Sequence, residues 1–216
     1  MMKAIIFDMD GTLIDSEPYY QKIMLQCLQE LHVPVSAEDL LPLAGANSNQ
    51  FEKFITQCIK GYTTRELYDE WQHQYFKENP IDFTKLLFHH VHETLSILRE
   101  KGYRLVLASS SKKHEIENVL KQCDLGSYFE FFLSGDMFKE SKPNPEIYLV
   151  CIDKLGLSAH ECIAVEDSVY GIAAAKAAGL TCIAKREERF GLDQSAADYT
   201  VDDLLEIIDI LKEIKS

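Results

Sequence analysis

The sequence predicts an α/β fold, a parallel-sheet core with helices on both faces and an all-helical domain inserted after the first strand. Three observations predict it. From about residue 88 onward, short β-rich runs alternate with helical stretches, as they do where parallel strands are joined by crossover helices. Residues 16–87 carry helical periodicity and need no strand. The apolar run Ala4-Ile5-Ile6-Phe7 near the N-terminus has the composition of the later strands, although the helical segment separates it from them. The expected core is residues 1–15 and 88–216, and the expected insertion is residues 16–87.

The first strand, Ala4–Phe7, is apolar on both faces, as a central strand of a parallel sheet must be. In the insertion, Tyr20, Ile23, Met24, Cys27, Leu28 and Leu31 recur at helical spacing. So do Phe51, Phe54, Ile55, Cys58 and Ile59, and then Leu67, Tyr68, Trp71 and Tyr75. Thr63 and Glu66 have capping-box spacing ahead of that last helix. Hinges near 13–16 and 83–90 would make the insertion a lid. His89, His90 and His92 fall in the second hinge, before a helix expected over Thr94–Glu100. Adjacent helical residues do not share a face, so a hinge segment is expected there rather than a metal site.

The later strands are expected at Arg104–Ala108, Phe131–Leu133, Cys162–Val165 and Thr181–Ala184. Between them, Asn144-Pro145 reads as a helix cap and first helical position, and Ser158 with Glu161 as a capping box. Gly179 closes an alanine-rich helix over Ala173–Ala178. Residues Asp202–Glu213 read as an amphipathic helix packed on the core.

Composition narrows the function. The 216 residues are 46% hydrophobic and 26% charged, enough for a full core and an insertion. A formal net charge of −13 argues against nucleic acid or an anionic membrane as partner, and means that any phosphate must meet a local cation or a metal. Six cysteines without C-x-x-C spacing read as small hydrophobes in a reducing compartment. With no apolar run of membrane-span length and no leader-like N-terminus, a cytoplasmic location is expected; a monomer is the expected state, although no feature of the sequence fixes it.

Ligands of open α/β sheets gather beyond the carboxyl ends of the strands. After the first strand come Asp8 and Asp10, in Asp8-Met9-Asp10-Gly11-Thr12-Leu13. Like charges this close raise each other's pKa unless a cation compensates, and the all-oxygen ligand set points to Mg²⁺. On a strand that simply continued, the two would share a side. Ser109-Ser110-Ser111 follow the second strand, Lys142 lies in the Ser141-Lys142-Pro143 loop, and Glu166-Asp167 follow the last strand but one. Each alone has an ordinary explanation: serines cap helices, loop lysines are solvated, and Asp167 or Ser168 could cap the next helix. Four such signals in chain order, each after an expected strand, make coincidence a poor account.

With these motifs the whole chain resembles the haloacid dehalogenase superfamily, and more narrowly its β-phosphoglucomutase-like phosphatases. The resemblance rests on D-x-D-G-T at the start, the helical insertion after it, a serine ending the second core strand, the S-K-P-x-P loop and the V-E-D-S-x-x-G segment. It implies a Rossmann-like core and a Mg²⁺-dependent phosphatase acting on a small-molecule phosphate ester, a sugar phosphate above all. It further implies Asp8 as nucleophile, Asp10 as general acid/base, Ser109 and the Ser110 backbone as phosphoryl ligands, and Lys142 as the cation screening nucleophile from phosphate. Glu166 and Asp167 look like the acidic metal pair, and Mg²⁺ would be held by Asp8, the Asp10 carbonyl and Asp167.

The family's mutases carry a histidine in the first insertion helix and an arginine in a glycine-led loop. Here Tyr20 and the stretch Gly45-Ala46-Asn47-Ser48-Asn49 stand in those places, without a cation. That favours hydrolysis over sugar-phosphate mutase activity, which stays open as the alternative. Receiver-type phospho-acceptor modules also combine aspartates, a hydroxyl and a lysine on a parallel sheet, but lack the insertion. A non-catalytic binding protein is the remaining class.

Overall fold

The computed structural model describes residues 1–44, 46 and 48–214. It divides into two compact units, Met1–Asp15 together with the chain from Phe83 onward, and Ser16–Asp82.

The first unit is a parallel sheet of β1 (Ala4–Phe7), β2 (Arg104–Ser109), β3 (Phe132–Ser134), β4 (Cys162–Glu166), β5 (Thr181–Lys185) and β6 (Tyr199–Val201). Its strand order is β3-β2-β1-β4-β5-β6, so the order reverses at β1. This doubly wound arrangement opens a crevice beyond the carboxyl end of the central strand. β1 is buried along its whole length between β2 and β4, with Phe7 opposite both Leu107 and Val165. That is why it reads as unbroken apolar sequence.

Between the strands run α5 (Val91–Glu100), α6 (Lys113–Gln122), α7 (Glu146–Leu155) and α8 (Val169–Ala177), and α9 (Ile207–Glu213) follows β6. One sheet face, carrying Ala4, Ile6, Val106 and Ala164, packs with Tyr148 and Cys151 of α7 and Ile172 and Ala175 of α8. Outside that cluster, α5 meets β2 and α9. Among the described residues no helix is long and apolar enough to cross a membrane.

Several local expectations shift. β6 was not foreseen, because Tyr-Thr-Val is too short to stand out of a polar stretch; it pairs with β5 at the sheet edge. The C-terminal amphipathic run is not one helix from Asp202: Asp203 caps a short 3₁₀ turn, Leu204–Glu206, that leads into α9. α5 starts at Val91 rather than Thr94, with His90 before it in the left-handed region at φ 59°. Its ring nitrogen lies 2.7 Å from Asp203, and that of His92 lies 3.3 Å from the Tyr128 hydroxyl. α8 starts at Val169 and not among the alanines, since the Ser168 hydroxyl caps it by accepting from the Gly171 N–H at 2.9 Å. At α7, Asn144 accepts from the Glu146 N–H at 2.9 Å, and Pro145 is the cap position rather than the first helical one.

The second unit is helical: α1 (Glu17–Glu30), α2 (Ala37–Leu40), α3 (Ser48–Cys58) and α4 (Arg65–Glu78). Its core gathers Met24, Cys27, Leu28, Leu40, Ile55 and Tyr68. α4 is capped by Thr64, whose hydroxyl accepts from the Leu67 N–H, so the Thr63 expectation was one residue early. Leu67, counted on the apolar face, is 49% exposed, and Tyr68 takes the buried place.

Candidate active site

β1 ends at Phe7, and the backbone turns at once. The Asp8 N–H still donates to the Val165 carbonyl at 2.9 Å, but Leu13 and Ile14 N–H groups close back on the Met9 carbonyl at 2.8 and 3.1 Å. Asp8 and Asp10 are therefore presented by a turn rather than by strand alternation. Gly11 makes that turn possible. It sits at φ +76°, and a Cβ there would lie 2.0 Å from an Asp167 carboxylate oxygen.

Lys142 is 4% exposed and makes three bonds with its ammonium: to Asp8 Oδ1 at 2.5 Å, to Glu166 Oε1 at 2.6 Å and to the Ala108 carbonyl at 2.9 Å. Its three hydrogens are thereby committed. Glu166, fully buried at the end of β4, also accepts from the Tyr148 hydroxyl. The space for this carboxylate exists because residue 171 is glycine; a Cβ there would come within 1.9 Å of Glu166 Oε2. Both glycines of the sequence motifs thus leave room for acidic side chains.

Asp8, Glu166 and Asp167 each bring one carboxylate oxygen into a group whose members lie within 4.8 Å of one another. Burial, with Glu166 and Asp10 adding to it and Lys142 opposing, pushes the Asp8 carboxyl up to about 8. The same burial, reinforced by Asp8 and Glu166, holds Asp167 well above the usual carboxylate range. Burial alone would discharge Lys142, but Asp8 and Glu166 outweigh it and keep the ammonium charged. Three buried carboxylates against one ammonium leave the cluster short of positive charge. A hard divalent cation with oxygen ligands fits that deficit, so the residues present suit a metal ion.

Asp10 is not one of the three clustered carboxylates. Its Oδ2 accepts from the Ser111 hydroxyl at 2.6 Å. Ser109, buried at the end of β2, uses its Oγ to accept from the Ser111 N–H at 3.0 Å, while Ser110 is exposed. Gly135, after β3, lets the chain pass close to this loop, since a Cβ there would lie 2.2 Å from the Ser110 carbonyl. Asp8, Lys142, Glu166 and Asp167 therefore converge, and Ser111 joins Ser109 to Asp10.

Two participants escaped the sequence reading. Tyr148 lies in α7, with Lys142 Nζ 5.2 Å from its ring centre and Glu166 on its hydroxyl. The available signal was one hydroxyl-bearing aromatic on the buried face of an otherwise aliphatic helix. Ser111 was seen only as part of a serine run, and nothing local set it apart from its neighbours.

The helical unit has a cavity of its own, about 270 Å³, whose lining includes Tyr20, Met24, Phe51 and Phe76 with Glu17 and Gln72. The Tyr20 ring meets Phe76 edge-on, with centroids 6.4 Å apart. Gly45 and Asn47, from the polar stretch matched to the mutase arginine loop, lie outside the described residues, as do the side chains of Ser48 and Asn49.

Residues 5–185 match the family model described as haloacid dehalogenase-like hydrolase. The chain belongs to that family. Within it, this is an enzyme of the phosphatase type. It is 33% identical over 219 residues to hexitol phosphatase B of Escherichia coli strain K12, covering 94% of this chain and 96% of that protein. It is 30% identical over 181 residues to a phosphorylated carbohydrates phosphatase of Thermotoga maritima, covering 83% and 82%. The solved β-phosphoglucomutase of Clostridium difficile shares the fold, with TM-score 0.79, 22% identity and coverage of 99% and 97%.

Proposed function

We propose that this haloacid dehalogenase-type hydrolase is a Mg²⁺-dependent phosphatase of a small phosphorylated metabolite, a sugar or sugar-alcohol phosphate, working through an aspartyl-phosphate on Asp8. The observation that carries the reading is the Asp8 carboxylate itself: buried, tied to Lys142 at 2.5 Å, and grouped with Glu166 and Asp167. A carboxylate placed so is costly for the fold and useful for attack on phosphorus.

Phosphate monoesters are among the slowest compounds to hydrolyse, with enzymes reaching accelerations of up to ~10²¹-fold, so several groups must act together. A carboxylate oxygen of Asp8 attacks phosphorus as the bond to the leaving oxygen breaks. Asp10 gives its proton to that oxygen. As carboxylate it then takes a proton from the water that attacks the aspartyl-phosphate, which releases inorganic phosphate and restores Asp8. Ser111 on Asp10 Oδ2 orients the acid/base group, and Ser109 with the Ser110 backbone receives phosphoryl oxygens. Lys142 reduces the repulsion between Asp8 and the phosphate. Mg²⁺ would be held by Asp8, the Asp10 carbonyl and Asp167 with Glu166 beside them, and supplies, when bound, further positive charge to the phosphoryl oxygens.

Two relatives at least 30% identical, each aligned over more than four fifths of both chains, are called a hexitol phosphatase and a phosphorylated carbohydrates phosphatase, which supports the substrate class. The mutase alternative needs a group for a second phosphate. Tyr20 brings no charge there, nor does any residue of the stretch 45–49.

The test is a turnover screen of sugar phosphates and sugar-alcohol phosphates with Mg²⁺. β-Glucose 1-phosphate, primed with a bisphosphate, is expected to give free phosphate. Glucose 6-phosphate appearing faster than phosphate in a coupled dehydrogenase assay would promote the mutase, and full activity in excess EDTA would remove the metal.

A further inference from the structure

Asp167 stands between the end of β4 and Ser168, the cap of α8, and Thr12 donates to its Oδ1 at 3.4 Å. Its backbone carbonyl has a partner from elsewhere. Gln194, in the loop between β5 and β6, donates from Nε2 to the Asp167 carbonyl at 2.6 Å and to the Lys185 carbonyl at 2.8 Å. Its Oε1 accepts from the Glu187 N–H at 3.1 Å. Both amide hydrogens and the amide oxygen are thus used, and in one sense only: turned over, the oxygen would face two carbonyl oxygens. Glutamate of the same length would set a charge against those carbonyls. Leucine would leave both without their donor.

The loop has a second anchor, which shares only Glu187 with the first. Arg189 forms a two-pronged ion pair with Asp15 at 2.7 and 2.9 Å and also binds Glu187. That pair is partly exposed, at 45% and 33% for the two side chains, and does not touch Asp167. It holds the loop without acting on the carboxylate cluster, which makes it a natural control.

We propose that Gln194 is a positioning residue for Asp167. It ties the peptide after Asp167 to the end of β5 and so fixes the direction in which the Asp167 carboxylate leaves the backbone toward Asp8 and Glu166. In doing so it sets the affinity of the three-carboxylate cluster for a divalent cation. The proposal rests on the metal reading above. Groups that orient a ligand without touching the metal typically govern its affinity by ~10–100-fold.

The experiment is calorimetric titration of Mg²⁺ into the full chain without substrate, joined to kcat measured against Mg²⁺ concentration. Gln194→Leu and Gln194→Glu are expected to weaken Mg²⁺ binding ~10–100-fold, with kcat at saturating Mg²⁺ restored to within about threefold of wild type, since the reacting groups are untouched. Arg189→Gln, which loosens the same loop, should change Mg²⁺ affinity less than about twofold. Asp167→Asn separates the two readings. If it weakens Mg²⁺ binding and neither Gln194 variant does, the positioning role is overturned while the metal site stands. If Asp167→Asn leaves binding unchanged, both fall. An equal loss in Arg189→Gln would also overturn the proposal, because loop looseness alone would then account for it. Should Gln194→Leu lack a cooperative melt, Gln194→Glu carries the decision.

Discussion

The two units bury different kinds of group. In the sheet unit, the interior at the carboxyl ends of β1 and β4 holds Asp8, Lys142 and Glu166, each 7% exposed or less and each bonded to another charge. In the helical unit, the interior is Met24, Cys27, Leu28, Leu40 and Ile55, and the charged pairs, such as Arg65 with Glu52, lie at the surface. The sheet unit, besides its apolar core, holds charges where water would otherwise screen them. The helical unit spends its burial on cohesion alone. Activity should therefore respond to changes in the first unit out of proportion to stability, and stability should dominate the response of the second.

The largest effect is expected from Asp8→Asn. The amide is a poor nucleophile, so turnover of p-nitrophenyl phosphate should fall at least ~10³-fold. The melting temperature should hold, because the amide still offers an oxygen to the Lys142 ammonium, which also keeps Glu166. A tenth of wild-type turnover in pure protein would remove Asp8 from the nucleophile's role.

Lys142→Met strands Asp8 and Glu166 without their shared cation, and should cost about 3–5 kcal/mol at pH 8 in metal-free protein. Urea unfolding followed by circular dichroism measures it. The loss should shrink at pH 6, where Asp8 takes up a proton. An identical loss at both pH values would mean that the stranded charge is not Asp8.

In the helical unit, Leu28→Ala empties a fully buried position and should cost that unit about 2–5 kcal/mol, with no chemistry lost. Hydrogen exchange should quicken within residues 16–82 and leave β1, β2 and β4 protected. Exchange rising equally in both units would show that they unfold together.

The most gradual effect is in pH. Asp8 titrates at about 8 when folded and without metal, well above its ordinary value, so between those points the folded chain binds more protons than the unfolded one. Stability is then full below about pH 3.8, declines as pH rises from there to about 8 by at most about 1.4 kcal/mol per pH unit, and levels off above 8. Added Mg²⁺ should flatten the decline. Trp71, the chain's one tryptophan, lies in the helical unit and reports on it separately; its fluorescence-detected midpoint should stay level from pH 6 to 9. A Trp71 midpoint that falls with the sheet signal would place the two units in one cooperative transition.

The fold and most of the site were legible because each rests on a local pattern. β1, β2 and β4 are apolar on both faces, and that reads as a parallel strand wherever it occurs. The residue after each run is set beyond a carboxyl end by topology, so Asp8, Glu166 and Asp167 could be named without coordinates. β6 could not, since three residues at a sheet edge bury too little to leave a pattern. The Thr63–Thr64 slip and the exposed Leu67 have the same origin: neighbouring residues satisfy the same helical spacing, and packing against Tyr68 and its neighbours decides between them.

From sequence alone followed the residue types of the site, their order and the glycine beside each acidic pair. The three-dimensional arrangement decided the partners: that Lys142 bridges Asp8 and Glu166, that Ser111 meets Asp10, that Tyr148 closes over Glu166, and that Gln194 holds the Asp167 carbonyl. Strand and helix periodicities repeat over a few residues and are written locally. Bonds between residues 101 or 134 positions apart depend on how the sheet is ordered, and no local spacing encodes them.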